Sequence, residues 1–382
     1  MGKAPQNKTL LCLANFSSEA GYAWWLMERF WALLANYVTS AGWRVIVAFP
    51  KIENVSETLR SAPLSVIELS FPTKDWLPKR DILNFIRRQA VTAVYLTDRS
   101  LWSPAYFWFR KFGVELIIVH DHIPGERPPV PKWKFYLKRT RFFFPGPRAD
   151  LYIGVSKFVR DRFIRIGGVP PRLCTYVRNG VTYINISQAK NIREEYGLPK
   201  GARVVVSVGR AHLYKGIDFI ISCAQDLIVK KRMKDLYFIH FGDGPHLNRF
   251  IDTVQSFGIT EYFLFAGTRN DLREYLPSCD VAFHASKGEA FSLAVLEFMM
   301  AGLPAVIPDH CGNGEAIIHE DSGLLYPPNS QSEAVKYLTL LLNNIEYRKE
   351  MGQNAAIRAR TKFSIEEMDR QFLETITPFL PL

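Results

Sequence analysis

Short apolar runs alternate with longer amphipathic stretches along almost the whole chain. This alternation is typical of βα units, in which parallel strands form a sheet covered by helices. In the first half, the runs that predict strands are TLLCLAN, RVIVAF, AVYLT, ELIIVH and LYIGVS. In the second half, they are RVVVSVG, LYFIHFG, YFLFAG, VAFHAS and LPAVIP. The pattern predicts an α/β fold with two doubly wound, Rossmann-like domains that face each other across a cleft.

The length of the chain also favours two domains. A chain of 382 residues is too long for one compact core and suits two domains of roughly 150 to 200 residues each. The polar segment 182–200 is expected to be the hinge between them. We therefore predict a first domain over 1–185 and a second over 186–363. The last segment, 364–382, is expected to form a helix that packs back on the first domain.

Composition points to the reducing environment of the cytoplasm. The chain has no run of about 18 uncharged apolar residues, so a transmembrane helix is not expected, and its N-terminus lacks the apolar region of a signal peptide. The five cysteines are scattered without metal-type spacing, which predicts no structural zinc. The net charge of +11 calls for an anionic partner: nucleic acid, a phosphorylated ligand or an acidic membrane surface.

Two glutamates interrupt an apolar stretch, SKGEAFSLAVLEFMMAGLPAV. A buried carboxylate is costly unless it is paired. If a helix begins near Phe291, Glu289 and Glu297 lie roughly 12 Å apart along its axis, close to the distance between the sugar and the ribose of a nucleotide sugar. Each carboxylate would then accept hydrogen bonds from hydroxyls at one end of that donor. The amides of Phe291, Ser292 and Leu293 would face its diphosphate. The alternative is a buried ion pair for Glu297 and a solvated Glu289.

The longer stretch HASKGEAFSLAVLEFMMAGLPAVIPDHCGNGEAIIHEDSGLLYPP resembles the donor-site signature of the retaining glycosyltransferases of family GT4. That signature has two glutamates eight positions apart, then a small-Gly-x-Pro turn and a Gly-x-x-Glu turn. The matching positions are Glu289, Glu297, Gly302, Pro304 and Glu315. Similar family segments are SVGRAHLYKGIDFII, FIHFGDGPHLNRF and VRNGVTY, so the resemblance covers about 116–328. It implies the GT-B architecture, in agreement with the two predicted sheets.

The resemblance also implies how the leaving group is stabilised. Arg210 and Lys215 stand at the family's separation, in a loop that follows a strand and opens a helix. Cations fixed there would stabilise the negative charge that develops on the departing nucleoside diphosphate. The chain contains no Asp-x-Asp sequence to hold Mg²⁺ or Mn²⁺. We therefore expect metal-independent catalysis, with the nucleotide sugar as co-substrate and no other cofactor.

Other positions are assigned by the same resemblance. Gly242 and Gly244 are expected to let the backbone approach the nucleotide, and Thr268 and Arg269 to contact its base. His120 matches the family's histidine that faces the donor sugar, where it would orient hydroxyls. The HDH sequence that contains His120 is not expected to bind metal, because we expect its two imidazoles to point to opposite faces and find no third ligand of convincing spacing.

Two departures from the family pattern concern the donor and the acceptor. The family usually carries a Gly-Gly loop after the first strand, whereas this chain offers only Gly21 near the expected place of the donor phosphates. In the signature, Ala290 and Ser292 replace two usual glycines. Both changes bear on acceptor geometry and sugar identity more than on the reaction class.

A basic aromatic segment, residues 127–148, is the third notable feature. Cations and aromatic residues interleave there without any acidic residue. This composition suits docking on an anionic membrane surface, stacking of single-stranded nucleic acid, or an ordinary helix with Phe142 to Phe144 in the core. We expect this segment to dock on an anionic membrane surface and not to bind nucleic acid. The cations that would carry this contact are Lys132, Lys134, Lys138, Arg139 and Arg141.

Taken together, the motifs and the family resemblance imply a retaining, metal-independent glycosyltransferase that acts in cell-surface polysaccharide or glycolipid synthesis. It would move a sugar from a nucleotide sugar, expected to be a UDP-sugar, to a glycan or lipid-linked glycan, at the inner face of the membrane. One alternative is a nucleotide-sugar epimerase or a glycosyl phosphorylase of GT-B architecture. A remote alternative is a basic nucleic-acid-binding protein.

Overall fold

The computed structural model describes residues 8–19, 21, 24–69 and 80–381, which form two compact units. The first unit comprises the described residues up to Ile123, Arg127–Asn179 and those from Met368 onward. The second comprises Pro124–Glu126 and Gly180–Glu367. The final helix therefore begins in the second unit and continues into the first.

The first unit is built on a parallel seven-stranded sheet with the order β3-β2-β1-β4-β5-β6-β7. Its strands are β1 (Thr9–Leu13), β2 (Arg44–Phe49), β3 (Ser65–Glu68), β4 (Val91–Thr97), β5 (Leu116–Asp121), β6 (Leu151–Gly154) and β7 (Cys174–Tyr176). Its helices are α1 (Trp25–Thr39), α2 (Glu57–Arg60), α3 (Arg80–Arg88), α4 (Pro104–Lys111), α5 (Lys132–Arg141) and α6 (Lys157–Arg162). The order reverses between β1 and β4, as in other doubly wound sheets.

The second unit holds a parallel six-stranded sheet with the order β10-β9-β8-β11-β12-β13. Its strands are β8 (Arg203–Val208), β9 (Leu236–Phe241), β10 (Phe263–Gly267), β11 (Val281–Phe283), β12 (Ala305–Pro308) and β13 (Leu324–Tyr326). Its helices are α7 (Ile192–Glu195), α8 (Ile217–Gln225), α9 (Leu247–Ser256), α10 (Leu272–Tyr275), α11 (Leu293–Met300), α12 (Gln331–Asn343) and α13 (Ile345–Lys362). The last helix of the chain is α14 (Ile365–Ile376).

Buried aromatic side chains form much of the core of each unit. In the first unit, Phe30 of α1 lies 4.4 Å, centroid to centroid, from Phe372 of α14. In the second, Phe238 and Phe263 stack across neighbouring strands at 5.8 Å. Helix α11 is apolar on nearly every side and is buried, as expected for a helix without a polar face.

The prediction of two doubly wound parallel sheets is confirmed, and all ten predicted strands are present. Three further strands, β3, β7 and β13, were not predicted; each has three or four residues and lies at the edge of its sheet. The segment predicted as a hinge contains the short helix α7. That helix forms because Asn191 caps it and Ile192 is fully buried.

Candidate active site

A glycine holds the loop after β8 close to the end of β11. A 3₁₀ turn covers Leu213–Lys215, and Gly216 then opens α8. Gly216 has a φ of +70°, and a Cβ there would lie 2.0 Å from the carbonyl oxygen of Ala285. Glycine tolerates both the positive φ and the close approach because it has no side chain. The loop therefore places Lys215 beside the residues that follow β11.

Lys215 and Glu289 form a largely buried ion pair. The Lys215 Nζ lies 2.5 Å from the Glu289 Oε1, and 18% and 11% of the two side chains are exposed. Burial alone would lower the pKa of Lys215, but the charge of Glu289, the nearby Tyr214 and the hydrogen bonds to both together raise it. Burial also opposes ionisation of Glu289, yet the charge and the hydrogen bond of Lys215 hold the pKa of that carboxyl below its usual range. Both side chains are therefore charged at neutral pH.

His284 is the neutral third member of this group. Its Nε2 lies 3.7 Å from the Glu289 Oε1 and has no hydrogen-bond partner among the described residues. Burial lowers the pKa of His284 to about 4, and the charge of Lys215 lowers it too while Glu289 opposes the shift. From its apolar pattern, VAFHAS was predicted only as a strand. The missed signal was a polar side chain at the carboxyl end of a strand in a doubly wound sheet, where ligands bind.

Glu297 also has a cationic partner that was not predicted. Its side chain is 4% exposed, and its Oε1 lies 3.6 Å from the Arg273 Nε. The Arg273 guanidinium also donates hydrogen bonds to the side chain and the carbonyl oxygen of Thr182. The alternative of a buried ion pair thus fits Glu297, whereas Glu289 is buried and paired instead of solvated.

The helix that carries Glu297 begins later than expected. Helix α11 starts at Leu293, and the Ser292 side chain caps it by accepting a hydrogen bond from the Val295 N–H at 3.5 Å. Glu289 therefore lies outside the helix, so a distance based on helical rise over eight positions does not apply to the two acids. The Phe291 ring is buried against Phe363, with centroids 5.4 Å apart.

The two glycines of the GDGP turn are needed for packing within the second unit. Gly242 has a φ of +132°, and a Cβ there would lie 2.1 Å from the carbonyl oxygen of Gly209. A Cβ on Gly244 would lie 2.6 Å from the carbonyl oxygen of Ala211. The loops after β8 and β9 thus touch backbone to backbone, a reason for both glycines that does not involve a ligand.

The other side chains predicted to contact the donor, those of Arg210, Thr268 and Arg269, differ in whether they already have partners in the protein. Arg210 is exposed, and no ion-pair partner for it occurs among the described residues. Thr268 is also exposed. By contrast, the Arg269 guanidinium contacts Glu195 and donates two hydrogen bonds of 2.9 Å to Asp271. These hydrogen bonds raise the pKa of Arg269. The guanidinium therefore already has protein partners in the place of a nucleotide base.

The first unit contains two predicted site residues, His120 and Gly21. His120 is fully buried, and its Nδ1 lies 2.5 Å from the Tyr95 hydroxyl. Burial, followed by the proximity of His122, places the pKa of His120 well below its usual range. The expectation that the two imidazoles diverge was wrong: their centroids are 4.2 Å apart, since residues two apart in a strand share a face. Gly21 is exposed, with a φ of +111° and open space around it.

The basic aromatic segment exposes most of its apolar side chains. None of the α5 residues is buried, and Trp133, Tyr136 and Leu137 are each more than half exposed. After the helix, Phe142 is buried, but Phe143 and Phe144 are 74% and 69% exposed. The ordinary alternative, with all three phenylalanines in the core, is therefore wrong for two of them. Among the helices that the structure describes, none is both long and apolar enough to cross a membrane.

A small cavity of about 200 Å³ lies at the carboxyl ends of β11, β12 and β13. Its wall includes Phe219, Lys287, His310 and Tyr326. The Phe219 and Tyr326 rings stack with centroids 5.6 Å apart. His310 also belongs to the one group of potential metal ligands found among the described residues.

Two family models match most of the chain. The model described as Glycosyltransferase Family 4 matches residues 27–183. The model described as Glycosyl transferases group 1 matches residues 188–358. One match therefore falls on each half of the chain.

Known proteins of several kinds are similar to this chain. N-acetyl-alpha-D-glucosaminyl L-malate synthase from Bacillus anthracis is 24% identical over 48% of both chains. Lipopolysaccharide glucosyltransferase WaaG from Escherichia coli (strain K12) is 27% identical over 46% of this chain and 48% of that protein. The matched regions span about half the length of the curated relatives. The crystal structure of HepE from Anabaena in complex with UDP superposes with a TM-score of 0.76, at 18% identity, over 97% of this chain and all of that one. This likeness shows that the two proteins share the GT-B fold.

Proposed function

Because the chain belongs to glycosyltransferase family 4, we propose that it transfers a sugar from a nucleotide sugar to a hydroxyl of a glycan or lipid-linked glycan. The observation that carries this proposal is the charged pair of Lys215 and Glu289, buried at the carboxyl end of the second sheet. A fixed cation and a fixed carboxylate at that edge suit a ligand with a diphosphate and vicinal hydroxyls.

The Lys215 ammonium would act on the leaving group. When the bond between the anomeric carbon and the diphosphate oxygen breaks, negative charge grows on the nucleoside diphosphate. Lys215 is already charged and oriented by Glu289, so little reorganisation is needed to stabilise that charge. Arg210, exposed on the same loop, would supply the second cation. These two side chains take the role that a metal ion has in other transferases, so the proposed reaction is metal-independent.

The carboxylates and the imidazole would hold the sugar and the ribose. Glu289 remains ionised and can accept hydrogen bonds from sugar hydroxyls. Glu297 would accept a hydrogen bond from the ribose, with the Arg273 Nε 3.6 Å from its Oε1. In the first unit, the neutral His120 imidazole would orient donor hydroxyls. The base would contact Thr268 and the backbone of Arg269, because the Arg269 guanidinium is engaged elsewhere.

The reaction would retain the configuration of the anomeric carbon, as the family resemblance implies. The acceptor oxygen forms its bond on the face from which the diphosphate oxygen departs, and the acceptor proton passes to a donor phosphate oxygen. The proposed neighbours of the diphosphate are the exposed Gly21 and the amides of Phe291, Ser292 and Leu293. The backbone at Gly242 and Gly244 is proposed to approach the nucleotide. Uridine is the proposed base, supported by the related structure that holds UDP.

The acceptor is proposed to be lipid-linked and met at a membrane surface. The support is the exposed basic aromatic segment, with Trp133, Phe143 and Phe144 in solvent beside several cations. A segment of this kind can insert its rings at the headgroup boundary while its cations bind anionic lipid. The name of one relative, a lipopolysaccharide glucosyltransferase, is consistent with such an acceptor. The protein would then act at the cytoplasmic face in cell-surface polysaccharide or glycolipid synthesis.

Donor binding and donor turnover test the proposal separately. Thermal unfolding with UDP-, GDP- and ADP-sugars should show a higher Tm with UDP-sugars, since a ligand of the folded state stabilises it. Transfer to a lipid-linked glycan should then require both substrates, and NMR of the product should show a retained anomeric configuration. Turnover of donor alone would favour an epimerase, phosphate-dependent cleavage of a glycan would favour a phosphorylase, and an inverted product would contradict retention.

A further inference from the structure

Three metal-ligating side chains converge in the second unit: Glu126, His310 and Cys311. One ligand atom of each lies within 4.8 Å of the other two. Glu126 is exposed and the other two are half-buried, so a hydrated ion can reach them. Glu126 comes from a turn far away in sequence, whereas His310 and Cys311 follow β12 directly. Folding alone therefore brings these three residues together, and no sequence motif contains all of them.

The backbone around Cys311 is fixed in an uncommon conformation. Cys311 has a φ of +54°, in the left-handed region that costs a residue with a side chain about 1 kcal/mol or more. The loop is held there by the next residue: the Gly312 N–H donates to the Glu289 carbonyl oxygen at 2.9 Å. A Cβ on Gly312 would lie 1.8 Å from the carbonyl oxygen of Ala290. Such a strained conformation persists only where the surroundings determine it, and it is frequent at functional sites.

A second glycine brings the turn with Glu126 close to the thiol. A Cβ on Gly288 would lie 2.9 Å from the Gly125 Cα and 3.5 Å from the Cys311 Sγ. Because Gly288 has no side chain, the turn at Gly125 can pack directly over this loop. That packing sets Glu126 beside Cys311.

From this arrangement we propose that Glu126, His310 and Cys311 bind a zinc-type divalent ion, with a fourth position left for water. Imidazole, thiolate and carboxylate together are a ligand set of Zn²⁺, whereas Mg²⁺ and Ca²⁺ prefer oxygen ligands alone. Zinc bond lengths at the tetrahedral angle require ligand atoms about 3.4 to 3.7 Å apart. The three atoms lie within 4.8 Å of one another, so binding requires each pair to approach by at most about 1 Å. The exposed Glu126 side chain can make its part of that movement by a change of rotamer.

The proposed site would revise the expectation of no zinc, which rested on cysteine spacing alone. Its ligands are not the two cations proposed to neutralise the diphosphate, although the loop that carries Cys311 is bonded to the backbone of Glu289. Because its ligands include a thiol, binding should release a proton and become tighter as the pH rises.

Metal binding to the full chain tests the inference directly, whatever the outcome of the transferase assays. With the thiols kept reduced by a phosphine, Zn²⁺ titration by calorimetry should show one equivalent bound. Co²⁺ should give a thiolate charge-transfer band that Zn²⁺ removes by competition. Cys311→Ala should abolish that band, and both His310→Ala and Glu126→Gln should weaken Zn²⁺ binding by at least about tenfold.

The matched controls are Cys174→Ala, a half-buried cysteine of the first unit, and His319→Ala, an exposed histidine of the second. Neither should change the band or the affinity. Glu126→Gln alters only an exposed side chain, so it remains informative if the loop variants do not fold. The inference is overturned if wild-type protein binds no Zn²⁺, or if the thiolate band survives Cys311→Ala.

Discussion

The Lys215 ammonium and the Glu289 carboxylate lie 2.5 Å apart, in a place where neither side chain has much solvent. Each residue sets the charge of the other: Glu289 raises the pKa of Lys215, and Lys215 lowers that of Glu289. Removing one partner leaves the other buried and charged, which is costly for a folded protein. Variants at either position must therefore separate effects on stability from effects on catalysis.

Lys215→Ala is expected to lower turnover about 100- to 1,000-fold, the loss that follows removal of one group that stabilises developing negative charge. It should also lower the free energy of unfolding by about 3 kcal/mol, because Glu289 loses its partner. Steady-state kinetics with a UDP-sugar and chemical denaturation measure the two effects. Lys336→Ala, which removes an exposed ion pair with Glu333, is the control and should change neither by much.

The double variant Lys215→Met with Glu289→Gln separates the two effects further. Both charges are removed together, so most of the lost stability should return while turnover stays low. If the double variant is both stable and active, the cation is not needed and the assignment of Lys215 is wrong.

Glu297→Gln is expected to weaken binding of the nucleotide sugar about tenfold or more, because a hydrogen bond to a charged acceptor is worth roughly 1.5 to 3 kcal/mol. Calorimetry with UDP and with the UDP-sugar measures this change. Arg273→Met is the comparison, since it removes the partner of Glu297 at 3.6 Å and the hydrogen bonds to Thr182 but leaves the Glu297 carboxylate in place, so it should act mainly on stability. Unchanged affinity in Glu297→Gln, with lower stability in both variants, would leave Glu297 with a structural role alone.

The low pKa of His284 predicts a loss of stability in acid. The imidazole titrates at its ordinary value of 6.5 in the unfolded chain and at about 4 in the folded protein. Its contribution is complete above pH 6.5 and is lost as the pH falls towards 4, because only the unfolded chain takes up the proton in that range. The loss attributable to His284 is about 3 kcal/mol.

Denaturation curves between pH 7 and pH 4 measure this contribution. Between pH 7 and pH 4, His284→Asn should lose less free energy of unfolding than wild type does. Some loss should remain in the variant, because burial also lowers the pKa of His240 to about 4. If the free energy of unfolding falls equally with pH in wild type and in His284→Asn, the low pKa of His284 is contradicted.

Chelation of divalent ions is expected to leave sugar transfer unchanged, because side-chain cations would neutralise the leaving group. Initial rates are compared before and after dialysis against EDTA, and again after addition of Mg²⁺ or Mn²⁺. A rate that falls tenfold with EDTA and returns with Mg²⁺ would show that Lys215 and Arg210 do not suffice.

Sequence periodicity predicted the central strands of both sheets because they are buried on both faces and read as continuous apolar runs. The strands it missed are edge strands of three or four residues, such as β3, whose residues alternate irregularly between exposed and half-buried positions. So short a run carries no reliable period. The start of α11 was placed two residues early because the cap at Ser292 was not recognised.

Within the candidate site, the sequence placed Lys215, Glu289 and Glu297 in one domain through a family pattern. The side chains near the two glutamates, His284 and Arg273, were missed, because contacts between distant segments have no local signature. The packing roles of Gly242 and Gly244 also needed the contacts between two loops. The convergence of Glu126 with Cys311 could be seen only in the folded chain.

Charge reversal on α5 is expected to abolish docking on anionic vesicles. Each cation near such a surface contributes roughly 1 kcal/mol, so Lys132→Glu, Lys134→Glu and Arg139→Glu together should weaken binding more than about 100-fold. These three side chains are exposed, whereas Lys138 donates a hydrogen bond to the Ile166 carbonyl oxygen and is left in place. Co-sedimentation with vesicles of anionic and of zwitterionic lipid measures the change.

Two further variants decide whether the surface acts as proposed. Charge reversal at Lys230, Lys231 and Lys234 makes the same change of net charge on an exposed part of the second unit, and it should weaken vesicle binding far less. Replacing the exposed Trp133, Phe143 and Phe144 by serine keeps every cation, so it should reduce binding through lost insertion of the rings. Equal losses in both charge-reversal variants would mean that net charge alone attracts the protein, and α5 would then be no docking surface. Because anionic lipid and nucleic acid both attract cations, binding of single-stranded nucleic acid that depends on the same rings would favour base stacking instead.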